Sequence, residues 1–183
     1  DLRTLNLLDA LAPPVWIDGG KAGYLLGTDD QGRDVLSAIM FGARISLLVG
    51  LAAIAVGGVI GIVAGLLAGY FGGWVDDLTM RLADMQLAFP FILLAIMFLV
   101  VLGPGVGNLI LVLGIGQWVT YARIVRAETL SLREKEFVEA ARMVGSSNWR
   151  IIRSHIFPHL VGPLIVLATL NVAAFILAEA GLS

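Results

Sequence analysis

The sequence predicts an all-α protein, a polytopic transmembrane helical bundle, and three observations carry that prediction. Hydrophobic residues make up 58% of the chain and charged residues only 14%, against roughly a quarter charged in soluble globular domains. Long stretches carry no charge at all, among them Ile45 to Phe71. Seven of the twelve Lys and Arg (Arg123, Arg126, Arg133, Lys135, Arg142, Arg150, Arg153) fall in one polar interruption, Arg123 to His159. The formal charge of −2 hides this asymmetry, because the interruption is net basic and the rest of the chain net acidic. The absence of cysteine excludes disulfides, thiolate metal sites and thiol nucleophiles.

Residues 1–44 read as a surface segment. Pro13, Pro14 and glycines 19, 20 and 23 suit irregular chain. After them, Thr28 or Asp29 is placed to cap a short helix whose apolar stripe, Val35, Leu36, Ile39 and Met40, would lie along the membrane surface. The acids Asp29, Asp30 and Asp34 lack the alternating ligands and terminal glutamate of a calcium loop, so no metal is expected there.

Four spans follow, at about 45–71, 85–102, 106–122 and 160–178. In the first, Gly57, Gly61, Gly65 and Gly69 recur every fourth residue, which aligns them on one helix face as a packing surface for a second helix. Asp76, Asp77, Arg81 and Asp84 mark the polar boundary before the second span, and Asp77 and Arg81 are spaced to meet on a helix face. Pro90 is expected to kink the second span, and Gly103 to Gly107 form a short turn into the third. Asn108, Gln117 and Asn171 are polar groups in or beside spans, able either to bond across helices or to line a solute path.

A basic connection between spans belongs on the cytoplasmic side. Counting outward from it puts residues 1–44 outside the cell and assigns 123–159 to a cytoplasmic loop. An extracytoplasmic start without a visible signal peptide requires a preceding span. Because the chain begins at Asp1 and its last apolar run stops at Ser183, it reads as a fragment cut at both ends.

Within the loop, Ser131 and Glu134 have capping-box spacing, predicting a helix from Leu132 with an apolar stripe of Phe137, Ala140, Ala141 and Val144. Gly145 is placed to end that helix in the left-handed conformation, and Ser146 or Ser147 to cap a second helix with Trp149, Ile152 and Ile156 on one face. From physics alone this element is either a partner-docking helix pair or a connector lying on lipid. His155 and His159 are four apart but lack the acid of an HExxH metal site, and no GxxxxGK[ST] phosphate loop or GxSxG elbow occurs. Membrane topology explains the basic residues better than nucleic-acid binding does.

The run EAARMVG, Glu139 to Gly145, with Pro158 further on, resembles the EAA loop of ABC-importer permeases: Glu139, Ala140, Ala141, Gly145 and Pro158 match in identity and spacing. His155 and Phe157 depart from that pattern, which has Ile and Leu there. LGTDDQGRDVLS, GARISLLVG, AGYFGGWVD and ILAEAGLS are similar to the dipeptide/oligopeptide permeases, so the likeness runs from Leu26 onward. The resemblance implies a type I ABC-importer-like permease in a bacterial or archaeal plasma membrane, holding the second to fifth of six spans. It further implies a sister permease, two cytoplasmic ATP-binding subunits and an extracytoplasmic solute-binding protein. ATP would be bound by the partner subunits, and this chain would carry neither cofactor nor catalytic residue. Glu139, Ala140, Ala141, Gly145 and Pro158 would couple it to the ATPase. A self-sufficient channel or ion-coupled secondary transporter, with Glu179, Asn171 or Gln117 handling an ion, is the alternative.

Overall fold

The computed structural model describes the backbone of residues 6–182 and the side chains of residues 6 and 8–172. Among these residues there is no strand, only an isolated bridge between Thr28 and Asp34. The chain divides into two compact units, Asp1–Leu48 and Val49–Ser183.

The first unit is tied together by short polar contacts. A 3₁₀ turn, Leu7–Asp9, presents the Asp9 carboxylate to Lys21, to Tyr24 Oη (3.1 Å) and to Asn6 Nδ2 (2.7 Å). Thr28 is buried, its hydroxyl donating to the Asp9 carbonyl and accepting the Ala12 N–H. The short surface helix expected after Thr28 is not a separate element. Asp29 closes a loop instead of capping a helix, because its carboxylate accepts the N–H groups of Gln31 and Arg33, both at 2.9 Å, and the Arg33 guanidinium. Those N–H groups, the backbone of Arg33 foremost, hold the Asp29 carboxyl below its usual range, as the Lys21 ammonium does for Asp9. The helix starts later, at Val35, with Ser37 N–H on the Asp34 carboxylate at 3.1 Å, the usual bond of a helix-capping acid.

Helix α1, Val35–Phe71, then runs unbroken for 37 residues, about 55 Å at 1.5 Å per residue and longer than a ~30 Å hydrocarbon core requires. Gly72, at φ +65°, turns the chain into α2, Gly73–Leu87. The second span is more sharply broken than a kink: α2 and α3, Phe91–Leu102, meet at 88° across Pro90. Proline at that point can neither donate to the preceding turn nor avoid its carbonyls. After the turn at Gly103 to Gly105, Asn108 Nδ2 donates to the Leu102 and Gly103 carbonyls (2.9 and 3.0 Å), capping α3.

Helix α4, Val106–Leu132, extends ten residues past the expected span. Ser131 therefore sits inside its last turn and no capping box forms; α5, Glu136–Met143, starts after Lys135 without a side-chain cap. A four-residue α6, Asn148–Ile151, passes through one wide π turn, Ile152–Ile156, into α7, Phe157–Leu182. The wide turn immediately precedes Pro158, whose ring cannot accept the tight register of an α-helix. Among the described residues three helices are long and apolar enough to cross a membrane, or four if α2 and α3 count as one broken span.

Glycines of α1 allow a close approach of α4. A β-carbon on Gly57 or Gly65 would stand 2.5 Å from the carbonyl oxygen of Gly114 or Ala122, and one on Gly61 or Gly69 would strike Trp118 and Tyr121 or Arg126 and Thr129. All four glycines are buried, so α1 and α4 meet backbone to backbone over three turns. Helix α2 is held to α4 by polar bonds instead. Arg126 grips Asp76 with two nitrogens, Arg123 reaches Asp84 at 2.5 Å, and Trp118 Nε1 donates to Gln86 Oε1 at 2.7 Å. The expected Asp77–Arg81 ion pair is not formed. Among the spans, Asn171 Nδ2 donates to Tyr121 Oη at 3.2 Å, tying α7 to α4.

Candidate functional site

The helix-turn-helix from α5 to α6 lies between the long helices α4 and α7 and presents apolar side chains outward. Its inner face is anchored. Val138, Ala141, Ile151, Ile152 and Ile156 are buried in one cluster with Leu66 and Tyr70 of α1, Val125 of α4 and Leu160 of α7. Complete burial of side chains such as Ile151 and Ile156 contributes about 1.5–3 kcal/mol each relative to exposure in water. The short helices are thus held to the ends of α1, α4 and α7 and not to one neighbour.

The turn between them has every bond of a Schellman ending. Gly145, at φ +79°, donates to the Arg142 carbonyl at 2.9 Å, and Ser146 donates to the Ala141 carbonyl at 3.0 Å. Nothing lies within 4 Å of where a Gly145 β-carbon would be, so glycine is required here by backbone conformation and not by space. Ser147 then caps α6, its hydroxyl accepting the Arg150 N–H at a long 3.4 Å.

The outer face differs from the sequence expectation. The stripe Phe137, Ala140, Ala141, Val144 is split: Ala141 is buried beside Val138, while Ala140 and Phe137 are exposed and Val144 is 81% exposed. Met143, at 89% exposed, extends the outward ridge. Trp149 is also not on a face with Ile152 and Ile156; it is 68% exposed while they are buried, and Ile151 takes the inward place. The inward face is set by the buried cluster of α1, α4 and α7, which takes up Val138 and Ala141. Phe137 is fixed at the edge of the ridge by stacking on His159, centroids 5.2 Å apart.

Of the residues singled out for coupling, Glu139 and Ala140 face outward, Ala141 faces inward, Gly145 makes the turn and Pro158 is exposed in the first turn of α7. The structure brings Glu139, Ala140 and Gly145 to one small surface and leaves Pro158 on another element. Glu136 and Glu139 sit in the first turn of α5, where carboxylates favour the helix dipole. His155 and His159 are joined through the His159 Nδ1–H on the His155 carbonyl at 2.8 Å, not through a shared ligand geometry. Among the described residues no three His, Asp or Glu side chains converge as metal ligands. Glu179, read from the sequence as a possible ion-handling group, lies outside the described side chains.

Sequence reasoning missed the supports of this surface. Tyr70, Asn148 and Arg142 meet beneath it, and Arg133 lies against the end of α1. Their signal in the sequence is weak, since a lone Tyr at the end of an apolar run is commonplace at a membrane interface.

Close-packed apolar helices, three or four of them able to span a membrane among the described residues, define a polytopic helical membrane protein. Residues 61–183 match the family described as binding-protein-dependent transport system inner membrane component, and the chain belongs to that family. It is 44% identical over 166 residues to the dipeptide transport system permease protein DppC of Alkalihalophilus pseudofirmus, covering 91% of this chain and 55% of that protein. It is 41% identical over 172 residues to the di/tripeptide transport system permease protein DppC of Pseudomonas aeruginosa, covering 94% and 57%. To the glutathione transport system permease protein GsiD of Escherichia coli it is 43% identical over 166 residues, covering 91% and 55%. The chain therefore spans a little over half the length of these relatives.

Proposed function

We propose that this chain is part of the membrane-spanning permease subunit of an ATP-driven importer, and that it forms part of the path for dipeptides, oligopeptides or a related small solute. Family membership and the names of its relatives, which transport dipeptides and glutathione, support the solute class. The observation that carries the mechanism is the outward ridge of Ala140, Met143 and Val144 on a turn whose inner side is locked in the core. In this reading the ridge docks in a groove of a cytoplasmic ATPase, and closure of the ATPase pair drives the spans between two access states. Hydrolysis belongs to the two ATP-binding subunits. A sister permease completes the path and an extracytoplasmic binding protein delivers solute. The protein resides in a bacterial or archaeal inner membrane, with residues 1–44 outside and the α5–α6 turn in the cytoplasm.

Family membership and the transport-system names of the relatives do not favour a self-sufficient channel. The amide nitrogens of Asn171 and Asn108 donate to Tyr121 and to the end of α3, which ties both side chains into the packing of the helices.

The test uses the full transporter in proteoliposomes with Gly145→Pro and Glu139→Lys. Proline fixes φ near −65° where +79° is required and removes the N–H that bonds Arg142, so the turn must open. Uptake is expected to fall to background in both while insertion is retained. Undiminished uptake and solute-stimulated ATPase in both variants sink the coupling assignment.

A further inference from the structure

We infer that Tyr70 is the positioning residue that ties the α5–α6 turn to the transmembrane bundle, acting through its hydroxyl on Asn148. The inference rests on the coupling role proposed for that turn. Tyr70 is the penultimate residue of α1 and only 7% exposed. Its hydroxyl donates to Asn148 Oδ1 at 2.9 Å, across 78 residues of sequence. Asn148 is the first residue of α6, and Arg142, in the last turn of α5, places its guanidinium 5.6 Å from the centre of the Tyr70 ring. One side chain of α1 thus reaches both helices that flank Gly145.

The other end of this strut is clamped as well. Arg133, directly after α4, donates from Nη1 to the Gly69 carbonyl at 3.1 Å and lies 3.5 Å from that of Tyr70. A cation on the last carbonyls of a helix also complements its dipole. Beside and one turn before Tyr70, Gly69 lies against Thr129 and the Arg126 carbonyl and Gly65 against the Ala122 carbonyl and Val125, so an axial shift of α1 meets α4 directly. A displacement of the turn therefore has a continuous route: Asn148, Tyr70, the end of α1, and the backbone contact with α4.

A purely structural role would not need the oxygen. Phenylalanine would fill the same place in the cluster and keep the Arg142 contact, and Asn148 is exposed, so water can satisfy its amide. What the hydroxyl adds is direction. Apolar side chains can slide past one another under load, whereas a hydrogen bond weakens steeply when misaligned.

The experiment compares Tyr70→Phe, Asn148→Ala and the double variant in the full transporter with its ATPase subunits and binding protein, reading solute taken up per ATP hydrolysed. Each single change is expected to lower that ratio roughly fivefold, the factor corresponding to one hydrogen bond of ordinary net strength. The double variant should lose no more than either single one, because both remove the same bond. Assembled complex and its ATPase turnover should stay near those of the parent. The inference is overturned by an unchanged ratio in both single variants, by losses that multiply in the double, or by uptake and ATPase falling together with the amount of assembled complex. Glu139→Lys in the same series separates the two levels. If it uncouples while Tyr70→Phe is normal, only the role of Tyr70 fails; if it is also normal, the docking reading fails with it.

Discussion

The α1–α4 seam and the α5–α6 turn solve opposite problems with the same small residues. Along the seam, glycine is needed because space is absent: β-carbons at Gly57, Gly61, Gly65 and Gly69 would collide with carbonyl oxygens or side chains of α4. At the turn, Gly145 is needed although space is plentiful, because the chain must reverse at φ +79°. Alanine likewise appears in both roles, buried at Ala141 and exposed at Ala140. One region is built to permit no relative motion without backbone cost, and the other to present a rigid shape outward. The comparison implies that damage to the seam should be felt as lost protein, and damage to the ridge as lost function in intact protein.

The largest expected effect is at the seam. Gly61→Leu would drive a side chain into the Trp118 carbonyl and Tyr121, where neither helix can retreat without separating the neighbouring glycine contacts. Overpacking of a rigid site costs about 1–3 kcal/mol, and more where the obstacle is backbone. The measurement is the yield of monodisperse protein in mild detergent, expected to collapse; normal yield and normal uptake would remove the distinction between the two regions.

Next comes the ridge. The double variant Met143→Asp, Val144→Asp alters two side chains that are 89% and 81% exposed. Exposed substitutions of this kind usually change stability by no more than about 0.5 kcal/mol, so yield and thermal stability should match the parent. Co-purification of the ATPase subunits should be lost, because two carboxylates would have to be desolvated in an apolar groove. Retained co-purification would show that the partner contacts some other surface.

How far these regions could be read in advance depends on what carries each. The glycine face was legible because a four-residue period is a direct geometric statement about one side of a helix. The turn at Gly145 was legible for the same reason, since its position after an amphipathic run leaves few conformations. The inward and outward faces of α5 were not. Val138 and Phe137 are adjacent and both apolar, and the choice between them is made by the ends of α1 and α7, which are distant in sequence. Helix limits failed where one local arrangement won over another: the Asp29 carboxylate closes a loop on Gln31 and Arg33, and Ser131 lies inside the last turn of α4. The 88° break at Pro90 was legible as a kink but not in size, because proline specifies a missing bond and the neighbours specify the angle.

The smallest effect sharpens the comparison within the turn itself. Ser147→Ala removes the cap of α6, and such losses range over about 0.5–2 kcal/mol. The bond concerned is 3.4 Å, beyond the usual 2.7–3.2 Å, so the low end of that range applies. Two other supports remain after the substitution, the Ile151 N–H on the Ser147 carbonyl at 3.0 Å and the buried Ile151 side chain, and both hold α6 in place. Hydrogen exchange should therefore quicken at Arg150, whose N–H loses its acceptor, by roughly two- to threefold. It should not change at residues 57–69 of α1, which are protected by the seam, even though Leu66 and Tyr70 both pack against the turn. If exchange quickened along α1 as well, the seam and the turn would be one cooperative unit, and the rigidity assigned separately to each would have a single source.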